Sequence, residues 1–374
     1  MDDIDFNRSD EQIMLVESAS QFLADKLPLE RVREIMESET GFDQAIWDET
    51  AAQGWQAMHI PERYGGAGFS VGETFLLIEE MGRSLAPLPF LGSAILATSA
   101  ILEAGSEVQK SRFLPGLADG TTKAALAVLE SAGSWSPATI HGTAAFDGDA
   151  WSISAEKPYV IDGTAADFFV VAAKHDDQVS LFVVPADQAV VTPRVSLDST
   201  RRIASVSFNR AQVPADSLLG PPGSGWSTVE RVRAIGSVAI AYEAVGGAQA
   251  VLDMSVAYAK ERVQFGRKIG SFQAVKHMCA DNLVALESAK SLTYYAGWAA
   301  AHDSGELALM APSAKSYATS TYFKAAGDNI QILGGIGFTW EHDAHLFFKR
   351  ATSLEVMLGT GSEQRTLLAE RLDV

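Results

Sequence analysis

The sequence predicts an α+β fold: an N-terminal helical domain over residues 1–122, a middle antiparallel β domain over 123–217, and a C-terminal domain like a four-helix bundle over 218–374. Three observations predict it. Apolar residues recur at helical spacing near both ends of the chain. The stretch between them breaks into short Val-, Phe-, Ile- and Ser-rich runs, and the Pro/Gly segment LLGPPGSGW cuts the sequence sharply before the last helical pattern begins.

In the first segment Asn7, Ser9 and Asp10 offer oxygens for a helix N-cap, and Ile13, Val16, Ser20 and Leu23 repeat at helical spacing. IPERYGGAGFS is a Pro/Gly connector, followed by VGETFLLIEEMGRSL and a second helical stretch from about Leu91 to Glu107. In the middle segment AALAVL, WSISAEKPYVI, DFFVVAAK, VSLFVVPA and IASVSFNRAQV are separated by turn residues in DGD, DGT, HDDQ and PAD, the spacing of an antiparallel sandwich or barrel. The third segment opens with STVERVRAIGSVAIAYEAVGGAQAVLDMSVAYAKERV, enough for one helix of about nine or ten turns. Gly236, Gly246 and Gly247 lower its local propensity, and glycines inside an apolar helix admit a second helix closely. Three more helical stretches begin near Ser271, Leu307 and His342.

Composition excludes several classes. Apolar residues make up 47% of the chain and charged ones 20%, ordinary for a globular protein, and no apolar run approaches the roughly 20 residues of a membrane helix. The acidic start MDDIDFNRSDEQ fits neither a secretory signal nor a transit peptide, so a cytoplasmic location is expected. A formal charge of −18 without a basic block argues against nucleic acid as a partner. The single cysteine, Cys279, excludes an internal disulfide framework, and no His/Cys/Asp cluster has metal-ligand spacing.

Several co-linear blocks carry a family resemblance: WDETAAQGWQAMHIPERYGGAGFS, EEMGRSLAPLPF, LDSTRRIASVSFNRAQVPADSLLG, KERVQFGRKIGSFQAVKHMCAD, QILGGIGFTWEHDAHLFFKRA and VMLGTGSEQR. In this order, nearly end to end, they resemble the acyl-CoA dehydrogenases. The resemblance implies FAD as cofactor, an acyl-CoA thioester as substrate and electron-transfer flavoprotein as acceptor. It also implies that an R-x-x-F-G element at the end of the long helix, here Arg262, Phe265 and Gly266, reaches a flavin bound mainly by a neighbouring subunit, with Gln273 a further turn onward. Arg262 would then give charge-assisted bonds to phosphate and Phe265 would pack on the cofactor; the plainer role for Arg262 is a cation at a helix C-terminus. Gln331, Gly334 and Gly335 would let backbone approach the nucleotide, or simply cap a helix. Thr360 would donate a hydroxyl to the nucleotide or N-cap the last helix.

The chain departs from the family pattern in two places. In the family, a loop like T-E-P-G-A-G-S-D holds the flavin ring; here LESAGSW, Leu129 to Trp135, is shorter and keeps only Glu130 and Gly133-Ser134. Tyr159-Val160-Ile161 stands for the aromatic-x-Ser/Thr facing the ring, and Ile161 has no hydroxyl to offer it. The second departure concerns the base. Desaturation needs a carboxylate to take the α-proton, and the family commonly places it just before a Gly-Thr. Leu358 occupies that position here, and Gly236 occupies the alternative position on the long helix, so no catalytic residue is assigned. Glu243 shares a helix face with Gly236 at about 10 Å and reads better as an internal ion-pair partner; Glu230 lies near the helix start, and His277 reads as structural.

The expectation is a base-lacking subunit in a heterotetramer with a base-bearing homologue, similar to heteromeric members of steroid catabolism that act on bulky CoA thioesters. A self-sufficient homotetramer with a relocated base and a catalytically silent acyl-CoA-binding or assembly protein are the alternatives. Flavin monooxygenases and oxidases share the fold.

Overall fold

The computed structural model of the protein describes residues 8–373, so Asn7, one of the expected cap residues, lies outside the described residues. Helices α1 (Asp10–Lys26), α2 (Leu29–Glu37), α3 (Gln44–Ala52) and α4 (Val71–Ser84) come first. Ser9 caps α1 in a reciprocal box with Gln12. The stretch expected from Leu91 to Glu107 is divided. A π-helical run, Leu91–Ala97, continues into α5 (Thr98–Ala104), and α6 (Glu107–Ala118) starts afresh because Ser106 and Gln109 form a second capping box.

Eight strands follow: β1 (Ala124–Ala127), β2 (Thr143–Phe146), β3 (Ala150–Ile161), β4 (Phe168–His175), β5 (Gln178–Pro185), β6 (Val190–Arg194), β7 (Ile203–Pro214) and β8 (Leu218–Leu219). The chain then forms α7 (Gly225–Glu261), the short strands β9 (Val263–Gln264) and β10 (Arg267–Lys268), α8 (Gln273–Ala301), α9 (Leu307–Leu333), α10 (Ala344–Val356) and α11 (Gly361–Arg371).

The chain divides into two compact units, and each is interleaved in sequence. The first combines residues 1–34, 71–86 and 237–374; the second combines 35–70 and 87–236. Residues of α7 contribute to both.

The second unit holds the sheet, in the order β6-β7-β3-β2-β4-β5-β8 with β1 added beside β4. Most neighbours are antiparallel, as the turn spacing predicts. Two pairings differ: β1 runs parallel to β4, and β2 meets β4 in parallel at Thr143 and Lys174. The cause is connectivity, since a long excursion through β2 and β3 separates β1 from β4 where a hairpin would have forced antiparallel pairing. Trp151, Phe169, Phe182, Val184, Val206 and Phe208 belong to its core.

Helix α7 is a single helix of 37 residues, as its sequence predicts. It contains an 18-residue window apolar enough to cross a membrane, but 89% of that window is buried, as in a core helix. The glycines do what their lack of a β-carbon allows. A Cβ at Gly246 would stand 1.9 Å from the Glu79 carbonyl oxygen, and one at Gly82 would stand 2.2 Å from that of Glu243. Helices α4 and α7 therefore cross backbone to backbone.

Packing contacts fix the directions of three helices. Gly247 faces Tyr322, while Asn329 Nδ2 donates to Val251 O and Ser255 Oγ, so α7 and α9 run parallel. Gly297 faces Tyr242 and Lys290 Nζ donates to Gln249 Oε1, so α8 runs antiparallel to α7. The C-terminal ends of α7 and α9 and the N-terminal end of α8 thus meet at one end of the bundle.

Candidate functional site

That common end gathers Arg262, Phe265, Gln273, Gln331, Gly334 and Gly335, with Gly266 beside Phe265. Arg262 directly follows α7; its amide donates to Tyr258 O at 2.9 Å and its carbonyl accepts from Ile269 N at 2.8 Å, so the backbone closes the helix into the β9–β10 hairpin. Its side chain is exposed and forms no hydrogen bond or ion pair with another described residue. Position at a helix C-terminus, the plainer reading of this cation, therefore holds alongside its availability to an anion.

Phe265 and Gly266 are the two loop residues of the hairpin, with φ +53° and +77°. Both angles are positive, as in a type I′ turn, where Asn-Gly is the usual pair. A phenylalanine held there carries backbone strain, and its ring is 92% exposed. Its only described ring contact is the edge of Phe272, 6.2 Å between centroids, while Arg267 lies 4.0 Å over the same Phe272 ring. Gln273, exposed, opens α8.

Gln331 is exposed on the last turn of α9. Gly334 ends that helix at φ +66°, and a Cβ added at Gly334 or Gly335 meets nothing within 4 Å. The cap role of Gly334 is real. The open space in front of both residues is what a close backbone approach to an external group requires.

Thr360 is not part of this group. It N-caps α11, accepting from Glu363 N while Glu363 returns a bond to the Thr360 amide. Its turn is tied to Lys315 on α9, and Gln331 lies about 24 Å farther along that helix at 1.5 Å per residue. One chain therefore does not bring Thr360 and the other six residues to a common point.

The position before Gly359-Thr360 is closed. Leu358 is 3% exposed and adopts φ +55°. Its carbonyl accepts from Gln364 Nε2 at 2.9 Å; the next carbonyl, of Gly359, accepts from Lys315 Nζ at 2.7 Å. Nothing in the Leu358 side chain exchanges a proton. Glu243 is buried and its carboxylate is held by the guanidinium of Arg350, itself buried, which is the internal ion pair expected for it. Glu230 is exposed on α7 and Gly236 is buried in it. His277, expected to be structural, is exposed on α8, so packing does not explain it.

In the second unit the Leu129–Trp135 loop is anchored by Glu130. Its carboxylate accepts from His141 N, Gly142 N and the fully buried Lys157 Nζ, the last at 2.8 Å. Burial pushes the Lys157 ammonium down to about 8, against the pull of Glu130. For Glu130, burial works upward, but the hydrogen bond and charge of Lys157 and the two amides bring the carboxyl below its ordinary value. Tyr159 is partly exposed with Arg194 5.4 Å from its ring, and Ile161 ends β3 half-buried.

Sequence reasoning missed Lys315, Gln364, Arg350 and Lys157. All four are buried, and nothing local in the sequence distinguishes them from solvated polar residues. No group of His, Cys, Asp and Glu able to hold a metal occurs among the described residues.

Helices, then a mostly antiparallel sheet, then a helical bundle, in this chain order, are the architecture of a dehydrogenase fold. Residues 9–121 match the N-terminal domain of acyl-CoA dehydrogenases and residues 223–373 match their C-terminal domain. The chain belongs to the acyl-CoA dehydrogenase family, oxidoreductases that act on CH–CH bonds. It is 34% identical to the acyl-CoA dehydrogenase IpdE2 of Mycolicibacterium smegmatis over 371 residues, spanning 97% of this chain and 99% of that one. It is similar in structure to the Tcur3481–Tcur3483 steroid ACAD (28% identity, TM-score 0.88, 97% and 98% of the two chains). It also resembles a chain of the ChsE4–ChsE5 complex of Mycobacterium tuberculosis (25% identity, TM-score 0.90, 99% of each).

Proposed function

We propose that this chain is the base-lacking subunit of an FAD-dependent acyl-CoA dehydrogenase that assembles as a heterotetramer with a homologous, base-bearing subunit. The single observation that carries the reading is an asymmetry. Six groups suited to an external flavin nucleotide converge, exposed, on one end of the bundle, while an apolar, buried leucine fills the position where the family places its base.

The residues present fit the cofactor on structural grounds. Arg262 offers an exposed guanidinium to a phosphate, Phe265 an exposed ring face, and Gly334 and Gly335 a backbone with no β-carbon in the way. Gln273 and Gln331 add amide donors beside them. The separation of Thr360 from these six supports a site completed by residues of two subunits. Bound FAD would supply the acceptor for the hydride that leaves the β-carbon of the thioester. The α-proton goes to a carboxylate that the partner supplies, since neither Leu358 nor the Arg350-bound Glu243 is placed to take it. Electron-transfer flavoprotein is the proposed acceptor, and a cytoplasmic location goes with it.

Similarity to a steroid ACAD and to a two-component complex supports a bulky, ring-bearing acyl group and a mixed assembly. The test is the visible spectrum of the chain purified alone and after co-expression with its homologous partner. Flavin absorbance confined to the co-expressed sample, and bleached by an acyl-CoA, is the expected result. A yellow protein that an acyl-CoA bleaches without any partner would overturn the reading and send attention back to Glu243. Flavin that an acyl-CoA never reduces in the complex would make the chain an assembly protein.

A further inference from the structure

The turn from Met357 to Thr360 is held more firmly than the end of an ordinary helix. A helix closing in the left-handed region normally places Gly there and needs no buried charge. Here a leucine takes φ +55°, followed by Gly359 at φ +104°. The left-handed backbone strains a leucine where glycine would not be strained, and burying an ammonium is unfavourable unless its protons are bonded. Lys315, fully buried on α9, donates to Gly359 O at 2.7 Å and to Glu355 O at 3.3 Å. Gln364 is 1% exposed and donates to Leu358 O at 2.9 Å. The amide of Thr360 donates to Glu363 Oε2 at 2.7 Å. Side chains from α9 and α11 thus hold three consecutive residues of the turn, and position 358 is fixed at its centre. Strain kept by its surroundings points to a geometric requirement. A leucine plug alone does not need one.

We infer that Lys315 and Gln364 are positioning residues, and that they preserve position 358 as an intact mount for a proton-abstracting carboxylate although the side chain there is apolar. The inference rests on the reading that Leu358 stands in the place of the base. A carboxylate installed at 358 takes the α-proton of a bound acyl thioester, leaving the electron pair on the substrate as its enolate. Return of a solvent deuteron from the same carboxylate restores the thioester with one label, and nothing is oxidised.

The experiment uses the assembled complex in which the partner's own acid before Gly-Thr is replaced by Gln, with cyclohexylpropanoyl-CoA as the probe in deuterated buffer. Label at the α-carbon is followed by NMR. Leu358→Glu should raise exchange at least tenfold over the complex carrying Leu358, with a pH profile that follows one carboxyl ionisation. Adding Gln364→Met or Lys315→Met to the Leu358→Glu chain should cut exchange per assembled complex tenfold or more. Gln364→Met removes a single hydrogen bond, so it decides the matter if the Lys315 variant fails to assemble. The inference is overturned by a Leu358→Glu complex that exchanges no faster than its parent, or by a clamp variant that exchanges as fast as Leu358→Glu alone. Failure of the underlying subunit reading shows separately, as bleaching of the lone Leu358 chain.

Discussion

Phe265 and Leu358 share an unusual backbone and nothing else. Both are large side chains in the left-handed region, at φ +53° and +55°, within the same compact unit. Phe265 is 92% exposed at the tip of a hairpin, beside an arginine whose guanidinium faces solvent. Leu358 is 3% exposed and its neighbouring carbonyls are taken up by Lys315 and Gln364. Equal strain is thus kept for opposite ends. At the hairpin, the fold gains no burial from the ring, so packing within the described chain does not offset the strain. At the α10–α11 turn, burial of the leucine offsets part of it, and Lys315 and Gln364 hold the backbone in place. The hairpin tip is open to solvent, and the turn is enclosed.

If the interior of this unit is a structural device, breaking it should cost far more than anything done at the bundle end. The largest effect is expected from Arg350→Met. The carboxylate of Glu243 would lose its buried guanidinium partner, a change that typically costs about 3–5 kcal/mol. Denaturant unfolding of the chain should show the loss, while Glu243→Gln should leave flavin reduction in the assembled complex intact; loss of that reduction with normal stability would make Glu243 catalytic after all. A smaller loss is expected from Leu358→Gly. Glycine relieves the left-handed strain by about 1–2 kcal/mol but empties a buried leucine site, for which truncation typically costs about 2–5 kcal/mol. A net loss of about 2 kcal/mol in the same unfolding measurement would establish that packing dominates at the turn. A gain would mean that Leu358 is not paid for by burial.

Much of this was legible in the sequence. The turns DGD and HDDQ announce themselves because Gly148, Asp176 and Asp177 are residue types that tolerate positive φ, and the structure uses them so, at +105°, +50° and +62°. The glycines of α7 marked a close helix crossing, and Gly246 makes one. The ion-pair role of Glu243 was readable from its type, but its partner Arg350 was not, because pairing over such a sequence distance depends on how α7 and α10 pack. The same limit hid the clamp. Nothing local distinguishes Lys315 from a solvated lysine on the polar face of a helix. Phe265-Gly266 misleads in the other direction: a Phe-Gly pair carries no turn signal, and a hairpin forms there against propensity. Parallel pairing of β1 with β4 was hidden for a topological reason, since alternation of side chains reports strands but not their neighbours.

The smallest expected effect has the opposite sign and tests the exposed half of the comparison. Phe265→Asn would place the preferred Asn-Gly pair in the hairpin and remove a largely exposed ring that meets Phe272 edge to face. Since strain is released and little burial is lost, the isolated chain should gain about 1 kcal/mol in denaturant unfolding. In the co-expressed complex, the same variant should lose flavin during gel filtration, read as the ratio of visible to protein absorbance. A gain in stability with a loss of flavin would show that the strained ring serves the assembly at the expense of the chain that carries it. A loss of stability would mean that Phe265 is part of the fold, and the contrast with Leu358 would fail.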